Sequence, residues 1–370
     1  MTDNDNKATC STANNNARLA HEEEQKSPRG LSGRVLFLWA IGSLISLNTF
    51  VFSSHHGDLV SYAKNENVHT AIQSSRQQLP LLTELVRSHE VVVCPDGLVP
   101  FIDTNMDPSL ANSSKIPRIV HVTAKSRCIS EDFAANLELW RLPGYSIFFH
   151  DEQAVDSLFG MSWPEFPHME MFMRCLPAAG GAAKIDVWRV LVLYAYGGIY
   201  TDFDNTLLTQ DLVKEIRPED ESFFLSDVRH RTSQWFHAMT PRHPIAYLTM
   251  MSILKNLSWM NDISYFKAVF TTGPAALCTG FGLFLGTGNC TKSGTFVGMG
   301  NHTARKIPRE YSKKLVTNEY SFGSKTKGEN YKSMNMTHWT QIRDEGGGVE
   351  RKGKGCLEYL RDLEQKRREQ

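Results

Sequence analysis

Apolar positions are unevenly spread along this chain. Residues 1–32 are mostly polar and low in complexity, and then residues 35–52 (VLFLWAIGSLISLNTFVF) run without a charge. Such a run is near the short limit for spanning a bilayer, and Ser43, Ser46, Asn48 and Thr49 dilute it. It predicts a transmembrane signal anchor over 33–54 behind a disordered tail, 1–32; a cleaved signal peptide and a buried core helix are the competing readings. Lys26, Arg29 and Arg34 precede the run and only Lys64 follows it closely, which orients the tail to the cytosol and residues 55–370 to the lumen.

Beyond the anchor, residues 55–115 read as a stem. Only LPLLTELVRSHEVVV has apolar content worth packing there, and a short helix near 80–90 is expected in it. From 116 the pattern tightens. IPRIVHVT predicts a strand, EDFAANLELWRL (131–142) a helix ending before Pro143-Gly144, YSIFFH a strand, and DEQAVDSLFG a helix with an acidic first turn. A strongly apolar helix over 182–198 ends in a glycine pair, followed by strand and turn at 199–208, a strand at 222–227 and a helix at 244–257. Glycine-rich residues 270–345 predict short strands and long loops, and 346–370 a charged C-terminal helix or tail. Strand and helix alternate, so the expected fold is α/β, with a mostly parallel central sheet flanked by helices over 116–345.

Composition narrows the function classes. Lys+Arg and Asp+Glu both number 40, so no bulk basic excess points to nucleic acid. Six cysteines (Cys94, Cys128, Cys175, Cys278, Cys290, Cys356) follow the anchor, an even number suited to an oxidising compartment, and none has zinc-site spacing. Asn112, Asn256, Asn289, Asn301 and Asn335 begin glycosylation sequons. Together with the anchor these features predict a single-pass type II protein of the secretory pathway, in the Golgi membrane.

The candidate chemistry lies in AYGGIYTDFDNT, residues 195–206. Strand alternation puts Asp202 and Asp204 on one side, where two like charges repel unless a cation intervenes. Carboxylate oxygens with positions left for phosphate suit Mg²⁺ or Mn²⁺, whereas a solvated turn is the bland alternative. A structural Ca²⁺ site would need more acidic neighbours. Upstream, Asp186 and Arg189 share one face of a helix that is apolar nearly all round, so their charges need partners there. His121, on its strand, and Trp140, Trp163 and Trp235 suit core or rim positions.

The stretch AAKIDVWRVLVLYAYGGIYTDFD closely resembles the signature of glycosyltransferase family 32, the D-x-D sugar-binding-region enzymes typified by the yeast initiation-specific α-1,6-mannosyltransferase. IPRIVHVT, LWRLPGYSIFFHDE, HPIAYLTM, TTGPAAL and, more loosely, MTHWTQ resemble further segments of that family, over roughly 116–340. Val122 and Ala124 stand where the family carries Gln and Trp. The resemblance implies a GT-A fold, an Mn²⁺ or similar divalent cofactor, and retaining transfer of a hexose (mannose, galactose or N-acetylglucosamine) from a nucleotide sugar. It places Asp186, Arg189, Asp202, His121 and Gly273 at the donor, and Asp204, Asp202 and His338 at the metal, with no protein catalytic base. The acceptor it implies is a glycan, or alternatively a glycolipid of the inositol phosphoceramide type. A catalytically inactive nucleotide-sugar-binding relative is the reading from another class.

Overall fold

The computed structural model describes residues 78–104, 114–176, 181–318, 327–336 and 351–369. The expected tail and anchor, the stem up to residue 77, and His338 lie outside them.

The eleven described strands are β1 (Val99–Pro100), β2 (Ile119–Thr123), β3 (Cys128–Ile129), β4 (Ser146–His150), β5 (Gly198–Thr201), β6 (Thr206–Leu207), β7 (Ser222–Ser226), β8 (Thr232–Met239), β9 (Gly294–Val297), β10 (Thr303–Lys306) and β11 (Val316–Thr317). Seven form the central sheet in the order β4-β2-β5-β8-β7-β10-β9. β4, β2, β5, β7 and β10 run one way; only β8 and β9 oppose them. β2 therefore sits beside β4 and β5 as the parallel, alternating reading requires, and the mixed α/β arrangement fits the expected GT-A type.

Helices cover both faces of the sheet, which explains why β4 (SIFFH) and β7 (SFFLS) are buried at every position. The helices are α1 (Leu82–Leu85), α2 (Glu131–Glu138), α3 (Glu152–Phe159), α4 (Met169–Met173), α5 (Gly181–Tyr196), α6 (Leu212–Glu215), α7 (Pro244–Trp259), α8 (Ala268–Thr271), α9 (Pro274–Leu285), α10 (Arg309–Leu315), α11 (Lys327–Ser333) and α12 (Cys356–Glu369). Strand periodicity divides the core in two. Tyr200, Phe224 and Met239 face α5, α7 and α9, while Ile199, Phe223, Leu225 and Ala238 face α2 and Trp140.

Two elements differ from the sequence reading. β8 is an eight-residue strand inside TSQWFHAM, where polar Thr232, Ser233 and Gln234 are buried and hide the alternation. α9 occupies a stretch whose glycines suggested loops. Gly280 is there for packing: a Cβ would stand 2.1 Å from Thr249 Oγ1, so only a bare backbone lets α9 approach α7. Among the described residues, Ala268–Leu285 is long and apolar enough to cross a membrane by length and composition, yet α9 is packed into the core.

The folded unit also reaches further at both ends than expected. Leu85, Val86 and Phe101 are buried, β1 pairs with β3, and Cys94 is bonded to Cys128. Residues 79–104 thus pack on the domain instead of standing off as a stem. At the other end, Cys175 bonds Cys356 and Leu360 is buried, which ties the charged helix α12 to the body. Cys278–Cys290 completes the pairing of the six cysteines. Asn256, Asn289, Asn301 and Asn335 are all exposed.

The bond between Cys175 and Cys356 closes a separation of 181 residues. Cys356→Ser is expected to lower the unfolding free energy by about 2–4 kcal/mol in urea titrations, because the unfolded chain regains the entropy of that loop.

Candidate active site

The site begins where α5 turns into β5. Gly197 (φ +67°) and Gly198 (φ +98°) make that turn in the left-handed region, and a Cβ on Gly198 would lie 2.7 Å from the Ile119 carbonyl. The double glycine therefore lets the helix reverse directly into a central strand beside β2.

β5 ends at Thr201, one residue before the first aspartate. Asp202 and Asp204 consequently stand not on a strand but in a turn at its carboxyl end, closed by Asn205 N–H donating to the Asp202 carbonyl (3.0 Å). Three buried side chains clamp this turn. Asn136 Nδ2 and Trp140 Nε1 donate to the Asn205 carbonyl (2.8 and 3.0 Å), and Asn205 Nδ2 donates to the Trp235 carbonyl (2.7 Å). Asp202 N–H reaches the same Trp235 carbonyl at 3.0 Å, so β8 carries one side of the turn and α2 the other.

Electrostatics link this turn to α5. Arg189 Nη2 lies 3.2 Å from Asp202 Oδ1 and 3.4 Å from Asp186 Oδ1, and its Nη1 donates to the Gln234 carbonyl (3.1 Å). The guanidinium also covers the Tyr200 ring at 4.8 Å. Burial opposes the charge on Arg189, but Asp202, Tyr200, Asp186 and Asp204 raise its pKa above the ordinary value, so it stays a cation. Thr272 Oγ1 donates to Asp186 Oδ2 (3.1 Å), Tyr200 OH to Asp202 Oδ1 (2.5 Å) and Tyr331 OH to Asp204 Oδ2 (2.9 Å). Burial pushes both tyrosines well above their usual range, with Asp202 adding to the rise at Tyr200 and Asp204 at Tyr331. They remain hydroxyl donors.

Asp186, Arg189, Asp202 and Asp204 line one cavity of 660 Å³ together with Gln234 and Pro274. Its carboxylate oxygens suit a hard cation such as Mg²⁺ or Mn²⁺. Asp204 meets a neutral donor from Tyr331, whereas Asp202 is already bound to a cation; Asp204 is the better candidate for the primary ligand.

Gly273 caps α9 beside this wall, and it is the preceding Thr272 that reaches Asp186. His121 lies elsewhere. It is fully buried, its Nε2 bonds the Gly197 carbonyl (2.9 Å) and its Nδ1 faces His150 Nε2 (3.1 Å). The carbonyl can only accept, so Nε2 carries the proton and Nδ1 accepts from His150. His121 braces the glycine turn beneath the site and does not line the cavity.

A second group of metal-type side chains, Glu221, His243 and His302, has ligand atoms within 4.8 Å of one another. His243 Nδ1 accepts from Ile245 N–H (3.2 Å), which puts its proton on Nε2, facing the Thr303 carbonyl at 3.3 Å. That tautomer has no lone pair for a metal, and the group is a structural knot.

Residues 166–224 match a family described as a glycosyltransferase sugar-binding region containing a DXD motif. The match runs from Phe166 through α5 and the Asp202–Asp204 turn into β7, so it covers the acidic half of the cavity and supports its reading as a glycosyltransferase sugar-binding region. No curated protein matches the chain. Among solved structures, the PaToxG glycosyltransferase matches at 17% identity and a TM-score of 0.33, over 47% of this chain and 73% of that one; a likeness so distant carries no argument.

Two outcomes follow from the clamp and the buried imidazoles. Asn136→Ala strips the Asn205 and Phe203 carbonyls of a donor and is expected to cost about 1–3 kcal/mol, read by urea unfolding. Burial lowers His121 to about 4, and His237 and His243 to about 3. The unfolded chain takes up protons near pH 6.5 that the folded chain refuses, so stability is lost as pH falls from about 7 toward 4. The His121 share is about 3 kcal/mol; His121→Gln should flatten that part of the pH–stability curve.

Proposed function

We propose that this chain is a metal-dependent, retaining glycosyltransferase that moves a hexose from a nucleotide sugar to a glycan acceptor in the secretory pathway. The observation that carries the reading is the Asp202–Phe203–Asp204 turn. It sits at the carboxyl edge of a largely parallel sheet, where such folds bind ligands, with both carboxylates and Arg189 in one cavity. The family match over the same turn supports it. Three disulfides, four exposed sequons and the apolar run at 35–52 support the compartment.

In this reading Asp204 ligates the divalent cation, with Asp202 as neighbour and second ligand. The cation, when bound, neutralises charge on the departing nucleoside diphosphate. Arg189 and Tyr200 hold the Asp202 carboxylate in one orientation, and Thr272 does the same for Asp186, so both present fixed acceptors to donor hydroxyls. Preorganisation of this kind is where a transferase with no protein nucleophile gains its rate. No side chain is assigned as a base; the leaving diphosphate accepts the acceptor's proton. His338 and Gly273 take supporting places at the metal and the donor.

The test is a donor screen with GDP-mannose, UDP-galactose, UDP-GlcNAc and UDP-glucose, each with Mn²⁺ and with chelator. One donor should release free sugar only with metal. Asp204→Asn should lower that release by about a hundredfold or more. The same substitution removes one of two repelling carboxylates, so its unfolding free energy should stay level or rise by up to about 1 kcal/mol. Metal-dependent binding with no turnover in the presence of any acceptor favours the inactive relative. Full activity of Asp204→Asn would assign the metal elsewhere.

A further inference from the structure

The cavity is divided by charge. Asp186, Asp202 and Asp204 line one end around Arg189, whereas Arg229, Arg231, Arg309 and Lys313 line the other, with Asp227 the acidic residue among them. Asp227 is bound to Arg231 (2.8 Å), and its Oδ1 also accepts from the backbone N–H of Arg229 and Arg231. Among the described residues, Arg229, Arg309 and Lys313 have no carboxylate partner.

This end is built, not incidental. Ser226, closing β7, is tied to α10 and to the chain leading into it: its N–H donates to Ser312 Oγ (2.9 Å) and its hydroxyl to the Ile307 carbonyl (2.6 Å). The buried Lys306 ammonium donates to the carbonyls of His230 and Cys290, both at 2.6 Å, and so fixes the tip of the β7–β8 turn. The turn carrying Arg229 and Arg231 is thereby held beside the helix carrying Arg309 and Lys313.

The same placement costs stability. Arg309 opens α10, at the positive end of its dipole, and Lys313 follows four residues later on the same face, a like-charge pair. Three cations face one concavity whose nearby carboxylate, Asp227, is already paired to Arg231, so they repel one another and attract an anion. The donor does not supply it. In the proposed reading its diphosphate is held at the acidic end by the cation on Asp204, which leaves these three side chains to another anion.

We propose that the basic end of the cavity, formed by Arg229, Arg309 and Lys313, binds a phosphate group carried by the acceptor. The proposal rests on the transferase reading for the word acceptor, while the anion site itself stands on the geometry above. Two arginines suit the tetrahedral oxygens of phosphate through paired N–H donors, and Lys313 adds a point charge. The phosphate belongs to a soluble phosphorylated sugar or to a lipid headgroup; both present the same group.

The test uses the full-length chain in detergent, with chelator and without donor, so that the Asp204 end cannot take part. Mannose 6-phosphate and mannose are titrated by calorimetry at two salt concentrations. Mannose 6-phosphate should bind at least tenfold more tightly than mannose, and more weakly as salt rises. Arg309→Gln with Lys313→Gln should remove that preference, and Arg309→Lys with Lys313→Arg should keep it, which separates charge from loss of fold. Short-chain phosphatidylinositol and phosphatidylcholine, each titrated in the same detergent, then assign the source. Charge-dependent preference for phosphatidylinositol indicates a headgroup, and its lack beside tight mannose 6-phosphate binding indicates a soluble acceptor.

Equal affinity for the two sugars, or a preference indifferent to the glutamine pair, overturns the proposal. So does phosphate binding that appears only with Mn²⁺ and is displaced by a nucleoside diphosphate, since the cations would then serve the donor. A failed donor screen with the metal-free preference intact would refute the transferase reading and leave the anion site standing.

Discussion

One buried cation holds this site together. Arg189 reaches from α5 to Asp202 in the turn and to Asp186 on its own helix, and it also takes the Gln234 carbonyl from β8. Three elements that are distant in sequence thus meet on one guanidinium. An isolated charge so deep would be costly, and two carboxylates without it would repel. Each needs the other, so the acidic turn has its position fixed before any ligand arrives. The flanking structure serves this arrangement: the glycine pair brings α5 against β5, and His121 braces the turn of chain between them.

Much of this was legible from residue order. Ile119–Val122, 146–150, 222–226 and the helices at α3, α5 and α7 were visible because apolar spacing and turn residues agreed there. The acidic cluster was visible because its members lie within nineteen residues, Asp186 to Asp204. What was hidden came from far along the chain. Thr272 and Tyr331 touch Asp186 and Asp204 across separations of 86 and 127 residues, and no local pattern announces such a contact. Asn136 and Trp140 looked like ordinary helix and core residues, since nothing local shows that they grip a loop 65–69 residues away. α9 was hidden by glycines that a helix normally avoids and this one needs for close approach.

The two ends of the cavity have different sequence signatures. The acidic end is compact in sequence and falls within the family match at 166–224. The basic end is assembled from the β7–β8 turn and α10, beyond the match and about eighty residues apart. A motif reports the first end and only the folded chain reports the second. Chemistry common to many transferases is thus encoded locally, whereas the wall that could discriminate partners depends on tertiary placement.

The long-range bond between Cys175 and Cys356 bears on how the molecule is made. Translation delivers about 5–20 residues each second, so Cys175 emerges roughly ten to thirty-five seconds before its partner exists. During that interval the thiol can meet Cys94 and Cys128 from the start, and Cys278 and Cys290 once they have been added, before its own partner. Tyr331, the hydroxyl on Asp204, is likewise absent until nearly nine-tenths of the chain has been synthesised. A nascent chain therefore carries its acidic turn for some time without the wall that completes it, and maturation ends with a late oxidative step that joins the last helix to the body.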